Sequence, residues 1–548
     1  MAVKLLGAGM AVFVLFWALG LAPLTDLDEG AFSEASREMM ARGDWISPWL
    51  LDSPRFDKPV LFHWLQIASF HVLGLNSWGA RLPSALAGLA WVAGIVYWAH
   101  LLLRSTHGPG SGQSRGSVSV AIAIAIGCLP IPAMSRVATA DALLNAVLLW
   151  CLIYVWRALF DASSPSQAKR FGRTAAALAG IGLLTKGPIA VLVPAGGLLM
   201  FWALRSIAWT LAARTPAAST EGLQRLLFDP WAWLILLCIP APWYTLQFLA
   251  QGMPFIEGFL GLHNVGRFTS PMHGFSAGPL YHPAWTAIAL FPFLPLMVAT
   301  IATEFRPRRL GSQKSGFLWA IWIFVMVFFT LSATKLPHYT FYGLSALMVL
   351  LAVHLINLPS DRRLWLIQHL WLAGCIAVLM SAGHLLEANL GQVRQPYFAA
   401  VLSDSVAALK FPAWWVWAMA FCGLVALIFG MISRGTHRPL TLLMASFSFS
   451  AILFGHHVPS VMTSLRGPIP EMTAAANSAD APLVSWQMSS PSISFWARRV
   501  VADRPPEGGE WVLMQSHQIG MLSRSAPQRD YEVVMQKQGL SLLRPRQD

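Results

Sequence analysis

Apolar stretches about as long as a bilayer is thick recur along this chain and restrict it more than any other feature. They lie near 5–24, 80–103, 118–134, 139–158, 174–185, 187–204, 230–250, 282–303, 317–333, 338–357, 365–384, 413–433 and 439–456. A helix needs about twenty residues to cross the hydrocarbon core, so the pattern predicts an all-α polytopic membrane protein with about 13 crossings. Thr185-Lys186-Gly187-Pro188 interrupts two of these runs, which read either as two short helices or as one kinked helix. Composition closes the soluble alternative, because 56% of the 548 residues are hydrophobic and only 11% are charged, against about 25% charged in ordinary soluble domains. The first run, Leu5 to Leu24, exceeds a signal-peptide core and reads as a retained helix, with cleavage after Gly20-Leu21-Ala22 as the alternative.

The net charge of +13 belongs to cytoplasmic loops rather than to nucleic-acid binding. With thirteen alternating helices, one side receives Arg104 and Arg115; Lys169, Arg170 and Arg173; Arg205, Arg214 and Arg225; Arg306, Arg308, Arg309 and Lys314; Arg362 and Arg363; Arg434 and Arg438. The positive-inside bias makes that side cytoplasmic. The other side receives residues 25–79, 251–281 and the tail, with Trp78, Trp243, Tyr281 and Trp285 suited to an interfacial belt. This divides the chain into a membrane domain, 1–456, and an extracytoplasmic domain, 457–548. The tail reads as a small α/β domain, because polar turns such as Arg504-Pro505-Pro506-Glu507-Gly508-Gly509 separate apolar runs at 482–488, 510–514 and 531–535. Cys128, Cys151, Cys238, Cys375 and Cys422 all lie in apolar runs without a CxxC pair and read as small core residues.

Charge is concentrated in the first outer loop. Asp26, Asp28, Glu29, Glu34, Glu38, Asp44, Asp52 and Asp57 are among the chain's 25 acids, and they alternate there with Arg37, Arg42, Trp45, Trp49, Arg55, Phe56, Lys58, His63 and Trp64. Such a mixture suits a polar site over a membrane cavity. Phe32, Ala35, Met39 and Met40 recur at helical spacing, which predicts an amphipathic helix over 29–42 lying along the interface. Asp28 stands at its start, where an acid is either an N-cap or a reactive group.

Asp28-Glu29, then Ser33-Glu34-Ala35-Ser36-Arg37-Glu38-Met39-Met40-Ala41-Arg42-Gly43-Asp44-Trp45 and Phe56-Asp57-Lys58-Pro59-Val60-Leu61-Phe62-His63-Trp64, resemble the opening of the bacterial aminoarabinose transferase and protein O-mannosyltransferase superfamily. The resemblance continues through Arg81-Leu82-Pro83-Ser84, Asp141, Thr185-Lys186-Gly187-Pro188, Pro242-Trp243-Tyr244, His263-Asn264-Val265-Gly266-Arg267-Phe268 and Ser332-Ala333-Thr334-Lys335-Leu336-Pro337-His338-Tyr339, and it weakens beyond about 350. It implies a GT-C fold and a glycosyltransferase of the bacterial inner membrane, active on the periplasmic side. Its donor would be a polyprenyl (undecaprenyl) phosphate-sugar and its acceptor lipid A, another envelope glycan or a protein. No Gly-rich nucleotide loop is present, as a lipid-linked donor requires.

The residue roles follow from the resemblance. Asp28 would take the acceptor's proton or stabilise charge on the sugar ring, with Glu29, which would orient the same cluster, and Asp141 as the other catalytic carboxylates. Lys58, Arg267 and Lys335 would receive the leaving phosphate, with Tyr339 as a hydrogen-bond donor to it or to Asp28. An intramembrane Asp141 must pair with Arg136, Lys186 or Arg81. Asp57 and His263 match a position that can hold a divalent metal, Zn or Mg. Asp stands there where Glu is expected, which leaves a divalent metal possible rather than required, and Pro59-Val60 replaces two prolines, so aminoarabinose specificity is left open. The alternatives are a transporter or lipid flippase and a non-catalytic envelope scaffold.

Overall fold

Among the candidate spans of the described residues the one at Pro337–Asn357 is the most enclosed, and every residue from Phe341 to Ile356 of its helix is buried. The computed structural model describes residues 2–107, 114–212, 224, 227–271, 277–305, 314–358, 361–433, 437–525 and 530–546. Around the central helix pack Ser77–His107, Asp141–Phe160 and Lys314–Leu331, and Trp91 of the first donates its Nε1–H to Ser345 Oγ at 2.7 Å. Among the described residues, 8 helices are long and apolar enough to cross a membrane, or up to 10 if each of two bent pairs counts as one span. The bends, 41° in Pro230–Gln251 and 78° in Tyr281–Glu304, are consecutive in the chain rather than matched across two halves.

The remaining three predicted crossings fall outside that count by length and composition. The run at 5–24 forms only the 15-residue helix Ala2–Phe16, and that at 118–134 divides into Ser114–Gly127 and Pro130–Ser135. The run at 174–185 belongs to Pro165–Lys186, whose first half carries Lys169, Arg170 and Arg173. Lys-Gly-Pro ends one helix and starts another, Ile189–Ala212, with Gly187 at φ 81°. A Cβ there would lie 2.6 Å from Phe259 Cζ, so glycine lets the break approach the 257–266 segment.

Lys314 Nζ lies 3.5 Å from the Ser105 carbonyl, next to Arg104, and the Lys314 carbonyl accepts from Trp156 Nε1 at 3.2 Å, so these ends of Ser77–His107, Lys314–Leu331 and Asp141–Phe160 meet. Lys169, Arg170, Arg173, Arg205, Arg362, Arg363 and Arg438 lie on other helices. Arg214, Arg225, Arg306, Arg308, Arg309 and Arg434 lie outside the described residues.

At the opposite side the Asp28–Arg42 helix is enclosed rather than amphipathic, because every residue from Glu29 to Met39 is buried. The reason is two-sided cover, from Leu61–Leu73 and from Pro491–Ala497 of the tail. In the tail, Leu483–Ser485 pairs parallel with Trp511–Gln515, and the latter pairs antiparallel with Leu540–Pro545. That last strand, absent from the sequence reading, also pairs antiparallel with Tyr531–Lys537. The tail's apolar core takes in Tyr397 and Val401 from the Pro396–Lys410 helix, and Tyr397 Oη donates to the Leu465 carbonyl at 2.7 Å.

Candidate active site

Asp26, Asp28 and Glu29 open the outer loop within four residues, yet their surroundings differ completely. Glu29 is buried, and its Oε1 accepts from Arg81 Nε at 2.7 Å and the Ala138 amide at 2.9 Å. Its Oε2 accepts from Arg81 Nη2 at 2.9 Å, the Thr25 amide at 2.8 Å and the Thr25 hydroxyl at 2.9 Å. Burial alone would raise this carboxyl, but the Arg81 charge and these hydrogen bonds hold it below the usual range. The acceptor positions of Glu29 are filled and it ties the loop to the membrane helices, which fits an orienting role beside Asp28. Arg81 extends that clamp by donating to the carbonyls of Leu19, Ala22 and Pro23. Asp26 is equally enclosed, against the tail.

Asp28 is exposed at the start of its helix, and the cap residue is Leu27, so Asp28 is not an N-cap. Asp28 makes no hydrogen bond or ion pair among the described residues. One turn on, Phe32 packs against Phe62 and Ala140 and carries the Arg55 guanidinium 4.7 Å from its ring centre. The Asp28 helix therefore abuts the residue that precedes Asp141.

A cavity of about 360 Å3 opens beside this junction, and its polar lining includes Asp57, Lys58, Lys186, Arg267, Tyr339 and Tyr342. Its other wall is apolar, with Leu192, Leu260, Phe268, Phe328 and Phe329. Neither Asp28 nor Lys335 lines it. Lys58 Nζ donates to the Asp57 carbonyl at 2.9 Å and lies 3.6 Å from Asp57 Oδ2. Arg55 holds the same carboxylate, with Nε 2.6 Å from Oδ1 and Nη2 donating to Oδ2 at 2.9 Å. Burial by itself would raise the Asp57 carboxyl, but Arg55 and Lys58 together hold it far below the usual range. Arg267 follows a π-helix, Glu257–Gly266, and its Nη2 lies 3.4 Å from His263 Nδ1. Such wide turns recur at functional sites, where they re-aim side chains.

Asp141 pairs with Lys186, one of its three expected partners. Arg81 is committed to Glu29, and Arg136 Nη1 donates to the Val14 carbonyl at 3.0 Å. Lys335 is corrected: its Nζ donates to the carbonyls of Thr330 at 2.7 Å and Ser332 at 2.9 Å. There it caps the end of Lys314–Leu331, where a cation is favoured. Lys186 supplies the third cation instead, and Tyr342 joins Tyr339 in the lining. Sequence reasoning treated Lys186 only as the partner of Asp141. The signal was its place at a helix end beside a Gly-Pro break.

Arg55, Lys58, Lys186 and Arg267 outnumber Asp57 and Asp141, so the junction favours an anion next to an apolar chain. The same cations oppose a resident metal. Asp57 is held by Arg55 and Lys58, His263 faces Arg267, and the described residues include no group of three His, Cys, Asp or Glu ligands. Two ligands so engaged do not fit a bound Zn or Mg, and no step is assigned to one.

The family described as dolichyl-phosphate-mannose-protein mannosyltransferase matches residues 57–233, a stretch that contains Lys58, Asp141 and Lys186. The undecaprenyl phosphate-alpha-4-amino-4-deoxy-L-arabinose arabinosyl transferase of Pectobacterium carotovorum is 26% identical over 470 residues, 83% of this chain and 77% of that protein. For the transferase of the same name from Erwinia tasmaniensis the figures are 26% over 357 residues, and the chain spans 60% of that relative's length. Among solved structures, ArnT from Cupriavidus metallidurans bound to undecaprenyl phosphate superposes with a TM-score of 0.80 at 20% identity, covering 98% of this chain and 97% of that one. The GT-C architecture expected from the sequence is the fold shared with that protein.

Proposed function

We propose that this chain, which belongs to the superfamily of the aminoarabinose transferases and protein mannosyltransferases, moves a sugar from an undecaprenyl phosphate carrier to an envelope acceptor. The observation that carries this reading is the cavity in which Lys58, Lys186 and Arg267 face an apolar wall. A polyprenyl phosphate has that duality, with one anionic head and a long hydrocarbon tail. In the reaction the bond between the anomeric carbon and the phosphate oxygen breaks, its electron pair leaving with the phosphate. The three cations stabilise that charge as it develops. The acceptor oxygen forms the new bond to the anomeric carbon, and a hydroxyl acceptor gives its proton to Asp28. The acceptor is lipid A, another envelope glycan or a protein hydroxyl.

Lys58 and Arg267 belong to loops that the positive-inside bias assigns to the outer side, which supports a site on the periplasmic face of the inner membrane. The purified chain in lipid nanodiscs, given an undecaprenyl phosphate-sugar and an envelope extract, should yield a glycosylated product detectable by mass spectrometry. Movement of the intact donor across the bilayer with no covalent product would favour a flippase instead.

Donor affinity should also depend on pH. Burial pulls the Lys58 ammonium down to about 8; Asp57 opposes the shift, and Lys186, Arg267 and Arg55 reinforce it. The charged form is therefore present below about 8 and lost as the pH rises through it. A phosphate monoester is already largely a dianion from pH 7 upward. The Kd for undecaprenyl phosphate should rise by up to about tenfold per pH unit above 8, until the higher pKa of the occupied site is passed. Lys58→Arg should flatten that slope, because a guanidinium stays protonated throughout. Titration calorimetry from pH 7 to 9.5 checks this, and a flat wild-type profile would remove Lys58 from the phosphate contact.

A further inference from the structure

We infer that the tail domain positions Asp28, with Asp26, Ser490 and Ser492 as the positioning residues. This inference rests on Asp28 being the carboxylate of the transfer reaction. Asp28 is exposed and makes no polar contact of its own among the described residues, so its neighbours must fix where it stands. On one side Glu29 is locked to Arg81 and Ala138. On the other, the Asp26 carboxylate reaches into the tail. Its Oδ2 accepts from Ser490 Oγ and, at 2.5 Å, from Ser492 Oγ, and its Oδ1 accepts from the Ser492 amide at 2.9 Å.

Arg466 Nη1 lies 3.6 Å from Asp26 Oδ2, and the Asp26 side chain is only 2% exposed. Asp28 therefore hangs between two anchored carboxylates, one gripped by the membrane bundle and one by the tail.

The approach is close enough to dictate a residue. A Cβ on Gly30 would fall 2.2 Å from Asp26 Oδ1 and 2.8 Å from the Ser492 amide nitrogen, so no side chain fits between loop and tail. Further along the same helix, Arg37 Nη1 donates to the Arg498 carbonyl at 3.3 Å, and on the neighbouring Leu61–Leu73 helix Phe70 meets Phe495 with ring centres 5.7 Å apart. None of Asp26, Ser490 and Ser492 lines the phosphate cavity, so they act on transfer only through the backbone that carries Asp28. A displacement of about 1 Å in a reacting group is enough to cost about a hundredfold in rate.

The test uses the full chain in nanodiscs. Undecaprenyl phosphate linked to 4-amino-4-deoxy-L-arabinose or to mannose serves as donor, envelope lipid extract as acceptor, and undecaprenyl phosphate as the binding probe. The Ser490→Ala/Ser492→Ala variant keeps the Asp26 charge, the Ser492 amide and Arg466. Its kcat should fall by about tenfold or more while KM for the donor and Kd for undecaprenyl phosphate stay within about twofold. In an Asp28→Asn background the same change should produce no further loss, because the group being positioned is gone. If that variant does not fold, the milder Ser492→Ala alone is read by the same measurements.

A folded variant with kcat within about twofold of wild type, a loss shared equally by kcat and donor affinity, or losses that multiply with Asp28→Asn would each overturn the inference. Full activity of Asp28→Asn, or no turnover by the wild type, overturns the transferase reading itself and is distinguishable from those outcomes.

Discussion

Asp28→Asn should lower kcat by about 10²- to 10⁴-fold, the range expected when a positioned general base or charge-stabilising carboxylate is removed. The Kd for undecaprenyl phosphate should change by less than about threefold, because binding is assigned to Lys58, Lys186 and Arg267, and Asp28 does not line their cavity. The neighbouring carboxylates are all engaged elsewhere. Glu29 has its oxygens filled by Arg81, Thr25 and Ala138, and Asp26 has its own filled by the tail serines. Asp141 is paired with Lys186 and Asp57 with Arg55. Asp28 alone in this group is exposed, uncapped and without an ion partner among the described residues. The same isolation predicts little effect on folding, so the variant should remain monodisperse and keep its melting temperature within a few degrees. Wild-type kcat in Asp28→Asn would take the residue out of the chemistry.

How much of this was legible in the sequence depended on the range of the deciding interaction. Bilayer thickness is a fixed external ruler, so runs such as 338–357 and 413–433 could be located directly. The ruler misleads where a run bends or ends early, as at Phe16, or where basic residues share the helix, as before Lys186. The helical spacing of Phe32, Ala35 and Met39 was also legible, but not what covers it. The missing surface is Pro491–Ala497, more than 400 residues away, and no local pattern announces such a partner. Lys335 and Lys186 show the same limit at single residues. Both lysines lie near helix ends beside Pro, but the nearest oxygens of one are the carbonyls of Thr330 and Ser332, while the other meets Asp141 and the cavity. Only the tertiary placement of those oxygens separates a helix cap from an anion site.

The Lys186–Asp141 pair should behave as one unit for stability and as two separate residues for activity. Asp141 begins Asp141–Phe160 and Lys186 ends Pro165–Lys186, so the positive end of one helix dipole holds the carboxylate and the negative end of the other holds the ammonium. Both side chains are nearly enclosed, 15% and 9% exposed. Removing either partner leaves a buried charge, and such breaks destabilise by about 3–5 kcal/mol, whereas replacing both costs far less. Asp141→Asn and Lys186→Met should therefore each lower the thermal midpoint sharply in nanodiscs, and the double variant should recover most of the loss. The coupling in that cycle is the measurable quantity, and single losses that simply add would show that the pair is not an energetic unit.

Function should not recover with stability. Lys186 also lines the phosphate cavity, so the double variant should fold yet bind undecaprenyl phosphate about tenfold or more weakly than wild type, the loss of one charge-assisted contact of about 1.5–3 kcal/mol. A double variant with both wild-type stability and wild-type affinity would assign the phosphate to Lys58 and Arg267 alone. Restored stability with weakened binding would mark Lys186 as a residue with two duties, closing the junction between two helices and receiving the leaving phosphate.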